Sequence, residues 1–317
     1  MKRFVLFSFY DPDGIVDDYV IYLLKSFNGI ADEILTIVNG SLTPESNERL
    51  KTLSNILMRE NMGFDAWGYK EGFENYGYEN LKKFDEIICL NHTCFGPIFP
   101  WEDMFEKMSQ SDCDWWSLFK DHCPQNFVPG EHMPSYFIVY KKSLFTSSHF
   151  KEFWDTLPRI QNYEDDVRFY ENRQTPFFDK YGFKRAVAFD FSKFDGRQDN
   201  WPLTCTEEML IKDHVPLLKR RPFFADKGNI DIKLYDAVFS FISGQTKYDL
   251  NLIIHNLRRT QNFNSLQSPR YYAKLKWKIK SVMSFSAKKR SKNRAKLENA
   301  KMIQRVNNYL GEKCETY

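Results

Sequence analysis

The sequence predicts an α/β fold, a mostly parallel sheet with helices on both faces and a C-terminal helical extension, and three observations carry that prediction. Apolar strand-like runs alternate with helix-patterned segments through the first two hundred residues. The polar segments YDPDG (10–14), Asn39-Gly40 and Asn91-His92-Thr93 each follow a strand end, which gathers them at the one edge of such a sheet where ligands bind. The charge divides near residue 270: the last 48 residues hold 14 Lys/Arg against 3 Glu, a net +11, and leave the rest at −8.

RFVLFSF (3–9) reads as the first strand, YDPDG as a turn, and VDDYVIYLLKSF as a helix with Val16, Tyr19, Val20, Leu23 and Leu24 at helical spacing. EILTIV (33–38) is a second buried strand. Thr43 or Ser46 caps a helix that carries Leu50, Leu53, Ile56 and Leu57 on one side. RENMGFDAWGYKEGF (59–73) opens without a clean period, and Asp65 stands as N-cap of a helix through Trp67, Tyr69 and Phe73. FDEIICL (84–90) is a third strand, and SDCDWWSLF (111–119) and SYFIVYKK (135–142) supply more. EDDVRFYENRQTPFFDKYGF (164–183) is helical, with Val167, Tyr170 and Phe178 apolar.

With 317 residues the chain can bury a large core, as one domain or as one domain with an extension. An aromatic share of 17% is high, and such side chains build sites for ring-shaped ligands as well as cores. The six cysteines lack the paired spacing of a zinc ribbon. MKRFVLFSFYDPDG is too briefly apolar and too soon acidic for a signal peptide, so a cytoplasmic chain with reduced thiols is expected. No run of 18 apolar residues occurs, and any membrane contact is expected to be peripheral. An acidic body without a recognisable nucleic-acid module argues against a nucleic-acid partner.

Six segments in one order, FYDPDGIVDDYVIYLLKSF, RENMGFDAWGYKEGF, FDEIICLNHTCFGPIFPWEDMFEKM, CDWWSLF, SYFIVYKKSLF and FKEFW, resemble the rhamnan synthesis protein F family of glycosyltransferases, over roughly residues 4–225. The resemblance implies a GT-A-like, Rossmann-type sheet. It also implies transfer of rhamnose or a related sugar from a nucleotide-diphosphate donor to a lipid-linked cell-surface polysaccharide, with inversion. Residues 1–225 are then the glycosyltransferase domain, 226–269 a helical region packed on it, and 270–317 a basic tail. The family's loop usually reads Asn-Asp-Ser where this chain has Asn91-His92-Thr93, and an Asp there is the natural ligand of a divalent cation (Mg²⁺ or Mn²⁺).

A glycosyl transfer needs a diphosphate-sugar pocket, stabilisation of the leaving diphosphate and a base for the acceptor hydroxyl. Under this reading Tyr10 meets a base or sugar, and Asp11 and Asp13 meet hydroxyls. Their alternative is an ordinary acidic turn. Asn39, Arg59 and Asn61 lie on the nucleotide side, Gly63 permits close backbone approach, and Asp65 and Tyr69 face sugar or base from the start of a helix. Asn91 and His92 bind phosphate oxygens or a cation, and Gly96 turns the chain away. Asp114, in the DxD-like Asp112-Cys113-Asp114, is a second metal candidate beside His92. Lys219, Arg220 and Arg221 neutralise the diphosphate, or are a surface cluster. Glu171, eleven residues before Gly182, is the candidate base, with Asp165 and Asp166 behind it; the bland alternative is an acidic solvated helix face. A catalytically weakened sugar-binding or assembly component is the rival function.

The segment 270–310 reads as one or two basic helices. Lys274, Lys278 and Lys280 flank an apolar face and Trp277 lies near its edge, the composition of a helix lying on an anionic membrane surface. A basic helix docking on the acidic body is the alternative. The first reading places the protein peripherally on the inner face of the cell membrane.

Overall fold

The structure is a computed structural model that describes residues 1–122, 131–195, 197, 201–224 and 232–260. Lys274, Trp277, Lys278 and Lys280 lie outside the described residues. The strands are β1 (Arg3–Phe9), β2 (Glu33–Asn39), β3 (Asn55–Arg59), β4 (Glu86–Asn91), β5 (Cys94–Phe95), β6 (Trp115–Ser117), β7 (Asp121–His122), β8 (Glu131–His132), β9 (Phe137–Lys141), β10 (Arg185–Val187) and β11 (Leu218–Lys219). The helices of the first half are α1 (Asp18–Lys25), α2 (Pro44–Lys51), α3 (Phe64–Tyr76), α4 (Tyr78–Leu81), α5 (Glu102–Ser109), α6 (Lys142–Phe145) and α7 (Ser148–Asp155). There follow α8 (Tyr163–Asp166), a π-helical turn (Val167–Glu171), α9 (Asn172–Lys180), α10 (Trp201–Thr204), α11 (Thr206–Ile211), α12 (Ile232–Gln245) and α13 (Asn251–Thr260).

Seven strands form one sheet in the order β10-β6-β9-β4-β1-β2-β3. All neighbours are parallel except β9, which runs antiparallel to both β4 and β6. This is the mostly parallel α/β sheet, with helices on both faces, that the sequence predicts. Alternation along β1 sends Val5, Phe7 and Phe9 into one core, with α1, α5, α12 and α13, and Phe4 and Leu6 into the other, with α3 and α7. Each fully buried side chain of this size stabilises the fold by about 1.5–3 kcal/mol. No described helix is long and apolar enough to cross a membrane.

One element differs from the sequence reading. Thr43 does cap α2, accepting from the Ser46 backbone N–H at 3.2 Å, but the helix stops at Lys51. Ile56 and Leu57 lie in β3, paired in parallel with Thr36 and Ile37. The free edge of β2 offers these residues a ladder, and that tertiary gain outweighs their helical spacing.

Candidate active site

Three parallel strands carry a polar residue at or next to their carboxyl ends, on the face that packs against α3. Ser8 follows Phe4 and Leu6, Asn39 follows Leu35 and Ile37, and Asn91 follows Ile87 and Cys89. The parallel register sets Ser8 beside Asn91. All three are buried, so each needs hydrogen-bond partners to offset its lost hydration.

Asp65, the second residue of α3, supplies them. Ser8 Oγ donates to Asp65 Oδ1 and Asn91 Nδ2 to Asp65 Oδ2, both at 2.6 Å. Asn39 Nδ2 donates to Ser8 Oγ at 3.1 Å, and Arg59 in turn donates to Asn39 Oδ1, to the Met62 carbonyl at 2.8 Å and to Glu71 at 2.6 Å. Burial pushes the Asp65 carboxyl up from its ordinary range. The Ser8 and Asn91 hydrogen bonds and the Lys219 cation oppose that rise, and the Glu171 charge adds to it.

The second wall comes from the chain after β4 and from the ribbon of β5 and β11. Asn91 Oδ1 accepts from the Thr93 backbone N–H at 3.1 Å and from its hydroxyl at 2.6 Å. Lys219 Nζ donates to Thr93 Oγ1 at 3.3 Å and stands 3.6 Å over the Tyr136 ring. The third wall is the α8–π–α9 segment. The π-helical turn ends on Glu171, whose Oε1 accepts the Ser135 backbone N–H at 2.8 Å. Such turns occur often at functional sites. Asp166 is buried, accepts the Ala66 backbone N–H, and keeps Oδ1 without a partner among the described residues. Burial, then the Asp65 and Glu171 charges, push its carboxyl well up.

Asp65, Asn91, Asn39, Lys219, Glu171 and Asp166 therefore converge at the carboxyl ends of the parallel strands. Tyr10 and Asn61 are exposed near the same edge. Arg221 hydrogen-bonds Tyr163, which opens α8.

Other predicted residues are engaged elsewhere. Asp65 is not the N-cap of α3: Gly63 is, at φ 72°, and a Cβ there would meet the Trp67 side chain at 2.5 Å, so the left-handed backbone and the packing of Trp67 both call for glycine. Tyr69 is fully buried in the core with Tyr170, because its place on α3 lies one turn along from Asp65, over the sheet. Gly96 lies where a Cβ would meet the Pro216 carbonyl at 2.5 Å, holding β5 against β11. Arg220 is buried, its guanidinium donating to Tyr19 Oη at 2.7 Å and to the His92 carbonyl at 3.1 Å, so it braces the loop. Asp165 is spent on the start of α8: its carboxylate accepts the Gln161 backbone N–H at 3.0 Å, and its own backbone N–H donates to Oδ1 of Asn162, the N-cap, at 2.9 Å. Asp11 is taken up by Arg259 of α13, which also binds Asp17 with Nη2 at 2.6 Å and Nε at 2.9 Å, and comes within 3.5 Å of the largely exposed Asp13.

The metal pair is not brought together. The His92 ring packs edge-on to Phe9 at 5.7 Å, and burial, then the Arg220 cation, pushes its pKa down to about 3. Asp114 opens β6 at the opposite edge of the sheet, accepting from Ser143 Oγ and from Lys184 N at 2.8 Å. Among the described residues no group of three or more Asp, Glu, His or Cys is placed to hold a metal ion.

Sequence reasoning missed Ser8, Ser135, Tyr163 and the Arg259–Asn256 pair. Ser8 had a signal: it interrupts an apolar run at a position whose parity is buried. Arg259 had none, since 248 residues separate it from Asp11.

A model of the rhamnan synthesis protein F family matches residues 34–302. A relative from Sinorhizobium fredii (strain NBRC 101917 / NGR234), the uncharacterized protein y4gN, is 21% identical over 178 residues, which are 55% of this chain and 45% of that protein. The chain thus spans just under half of that relative's length. Similar solved structures include a CMP:2-keto-3-deoxy-manno-octonic acid synthetase complexed with CTP, at 9% identity and TM-score 0.37 over 60% of this chain and 90% of that one. Another is a 4-diphosphocytidyl-2C-methyl-D-erythritol synthase, at 11% identity and TM-score 0.37 over 59% of this chain and 87% of that one. With the family match running through most of its length, the chain belongs to the rhamnan synthesis protein F family.

Proposed function

We propose that this protein is an inverting glycosyltransferase that moves rhamnose or a similar sugar from a nucleotide-diphosphate donor to a lipid-linked polysaccharide acceptor. The observation that carries the reading is the meeting of Asp65, Asn91, Lys219 and Glu171 at the carboxyl ends of the parallel strands. Glu171 takes the acceptor hydroxyl proton with the oxygen that does not hold Ser135. The acceptor oxygen bonds to the anomeric carbon, the bond from that carbon to the diphosphate breaks, and the nucleoside diphosphate leaves with the electron pair. Lys219, and Arg221 from the rim, stabilise that departing charge. Asp65 orients sugar hydroxyls through its fixed carboxylate.

His92 favours a second reading. Its packed, neutral ring replaces the carboxylate that the family usually carries in this loop, which suits a catalytically weakened sugar-binding or assembly component. Nucleotide-sugar turnover separates the two: purified protein with dTDP-rhamnose and UDP-sugars releases nucleoside diphosphate under the first and binds without turnover under the second. Absence of both binding and turnover sinks both. Repeating the titration with Mg²⁺, Mn²⁺ and EDTA reads cation dependence. The cytoplasmic, membrane-peripheral location belongs to the same proposal, through the basic tail.

A further inference from the structure

Phe64 is hard to account for by folding alone. It has a positive φ of 54°, a left-handed backbone that strains any residue with a β-carbon, yet the residue is 42% exposed. Strain held without burial in return points to a use for the side chain. Tyr163, at the start of α8, is 58% exposed.

The two rings belong to one neighbourhood. Asp166, one turn after Tyr163, accepts the Ala66 N–H two residues after Phe64, and Trp67 Nε1 donates to the Pro158 carbonyl at 3.0 Å. Among the described residues, the exposed large hydrophobic side chains are Met1, Tyr10, Met58, Met62, Phe64 and Tyr163. Of these, Met62 and Phe64 flank the start of α3 and Tyr163 opens α8, so exposed apolar side chains gather where those two helices begin, a concentration that marks a binding face. Polar groups border it: Arg221 hydrogen-bonds Tyr163, and the Glu171 charge acts on the same tyrosine.

We propose that Phe64 and Tyr163 form an aromatic subsite that stacks on a pyranose ring of the glycan acceptor and presents its hydroxyl edge to Glu171. A pyranose has an apolar C–H face and a polar rim, and this surface offers rings for the first and a carboxylate and a guanidinium for the second. An anionic membrane is a poorer match, because carboxylates border the rings. The inference deepens the transferase reading and rests on it for the identity of the acceptor.

The test uses the full chain and trisaccharides ending in rhamnose, glucose or N-acetylglucosamine, read by saturation-transfer-difference NMR, with dTDP and UDP binding measured by calorimetry. At least one trisaccharide is expected to bind through its C–H face, and Phe64→Ala and Tyr163→Ala each to weaken it about tenfold. Nucleotide affinity is expected to stay within about twofold in Phe64→Ala, whose ring touches none of the groups assigned to the diphosphate. Phe64→Gly separates use from structure: relief of the left-handed strain raises Tm by about 2 °C or more while glycan binding is lost. A lower Tm for that variant, equal glycan affinity in the double alanine variant, or no binding of any trisaccharide at millimolar concentration overturns the subsite. Ring-dependent glycan binding without nucleotide binding keeps the subsite and overturns the transferase reading.

Discussion

Asn91 and Asp65 are joined across the top of the sheet, Asn91 Nδ2 to Asp65 Oδ2 at 2.6 Å. One amide thereby fixes a half-buried carboxylate and, through its own oxygen, the Thr93 turn that receives Lys219.

Removing one side of that bond is costly. Asn91→Ala leaves a carboxylate oxygen unpaired and is expected to lower stability by about 1–3 kcal/mol. Asp65→Ala made in that background should cost less than in the native chain, with a coupling of about 0.5–3 kcal/mol from urea melts of all four proteins. Strictly additive losses would show that the bond contributes nothing.

Glu171→Gln keeps an oxygen for the Ser135 N–H, so melting should change little. Loss of the base should slow transfer by about 10²–10⁴ while nucleotide-sugar affinity holds. Transfer within a few-fold of the native rate would move the base to Asp166.

Asp166 sets a pH dependence. Its folded pKa is raised above the unfolded value, so the folded state holds the proton more tightly and stability falls as pH climbs from the ordinary carboxylate range through the folded pKa. Asp166→Asn removes that penalty, and the oxygen of Asn can still accept the Ala66 N–H. The variant should melt at least about 2 °C above the native protein at neutral pH. The gain should shrink toward pH 4, and a gain independent of pH would rule out the titration of Asp166 as its source.

Gly96→Ala tests the ribbon under Lys219. The added carbon would lie 2.5 Å from the Pro216 carbonyl, where the backbone cannot yield cheaply. A loss of about 2 kcal/mol or more is expected, with weaker nucleotide-sugar binding because β11 carries Lys219. Unchanged melting and binding would show that the ribbon accommodates the carbon.

The sheet was legible because its strands are apolar runs broken by turn formers, and those signals are local. Residues whose roles depend on register were less so. Asn91 and Asp65 stood out as polar groups at element ends, but no local pattern joins them. Tyr69 and Asp165 looked like site residues because loops and helix starts carry function and caps alike. His92 misled for the same reason, since a loop histidine reads the same whether its ring faces solvent or Phe9.

The basic tail predicts association with lipid. Full-length protein should co-sediment with anionic vesicles at low salt and leave them as salt rises, each Lys or Arg near the surface contributing roughly 1 kcal/mol. A chain ending at Ser268 should not bind. Equal sedimentation of both chains excludes the tail as anchor, and loss of folded protein on shortening favours docking on the body.

The guanidinium of Arg259 bears on how relatives can be recombined. Asp11 and Asp17 bracket the loop that leaves β1, and they share one cation lying 248 and 242 residues further along the chain. Asn256 adds a second hold on Asp17 from the same helix. A chimera that takes its sheet from one family member and its closing helices from another would set two carboxylates against each other unless the incoming helix brings an arginine to this position. The exchangeable unit therefore includes α13 together with the loop it grips, and a junction placed at the apparent boundary near residue 225 cuts through that unit.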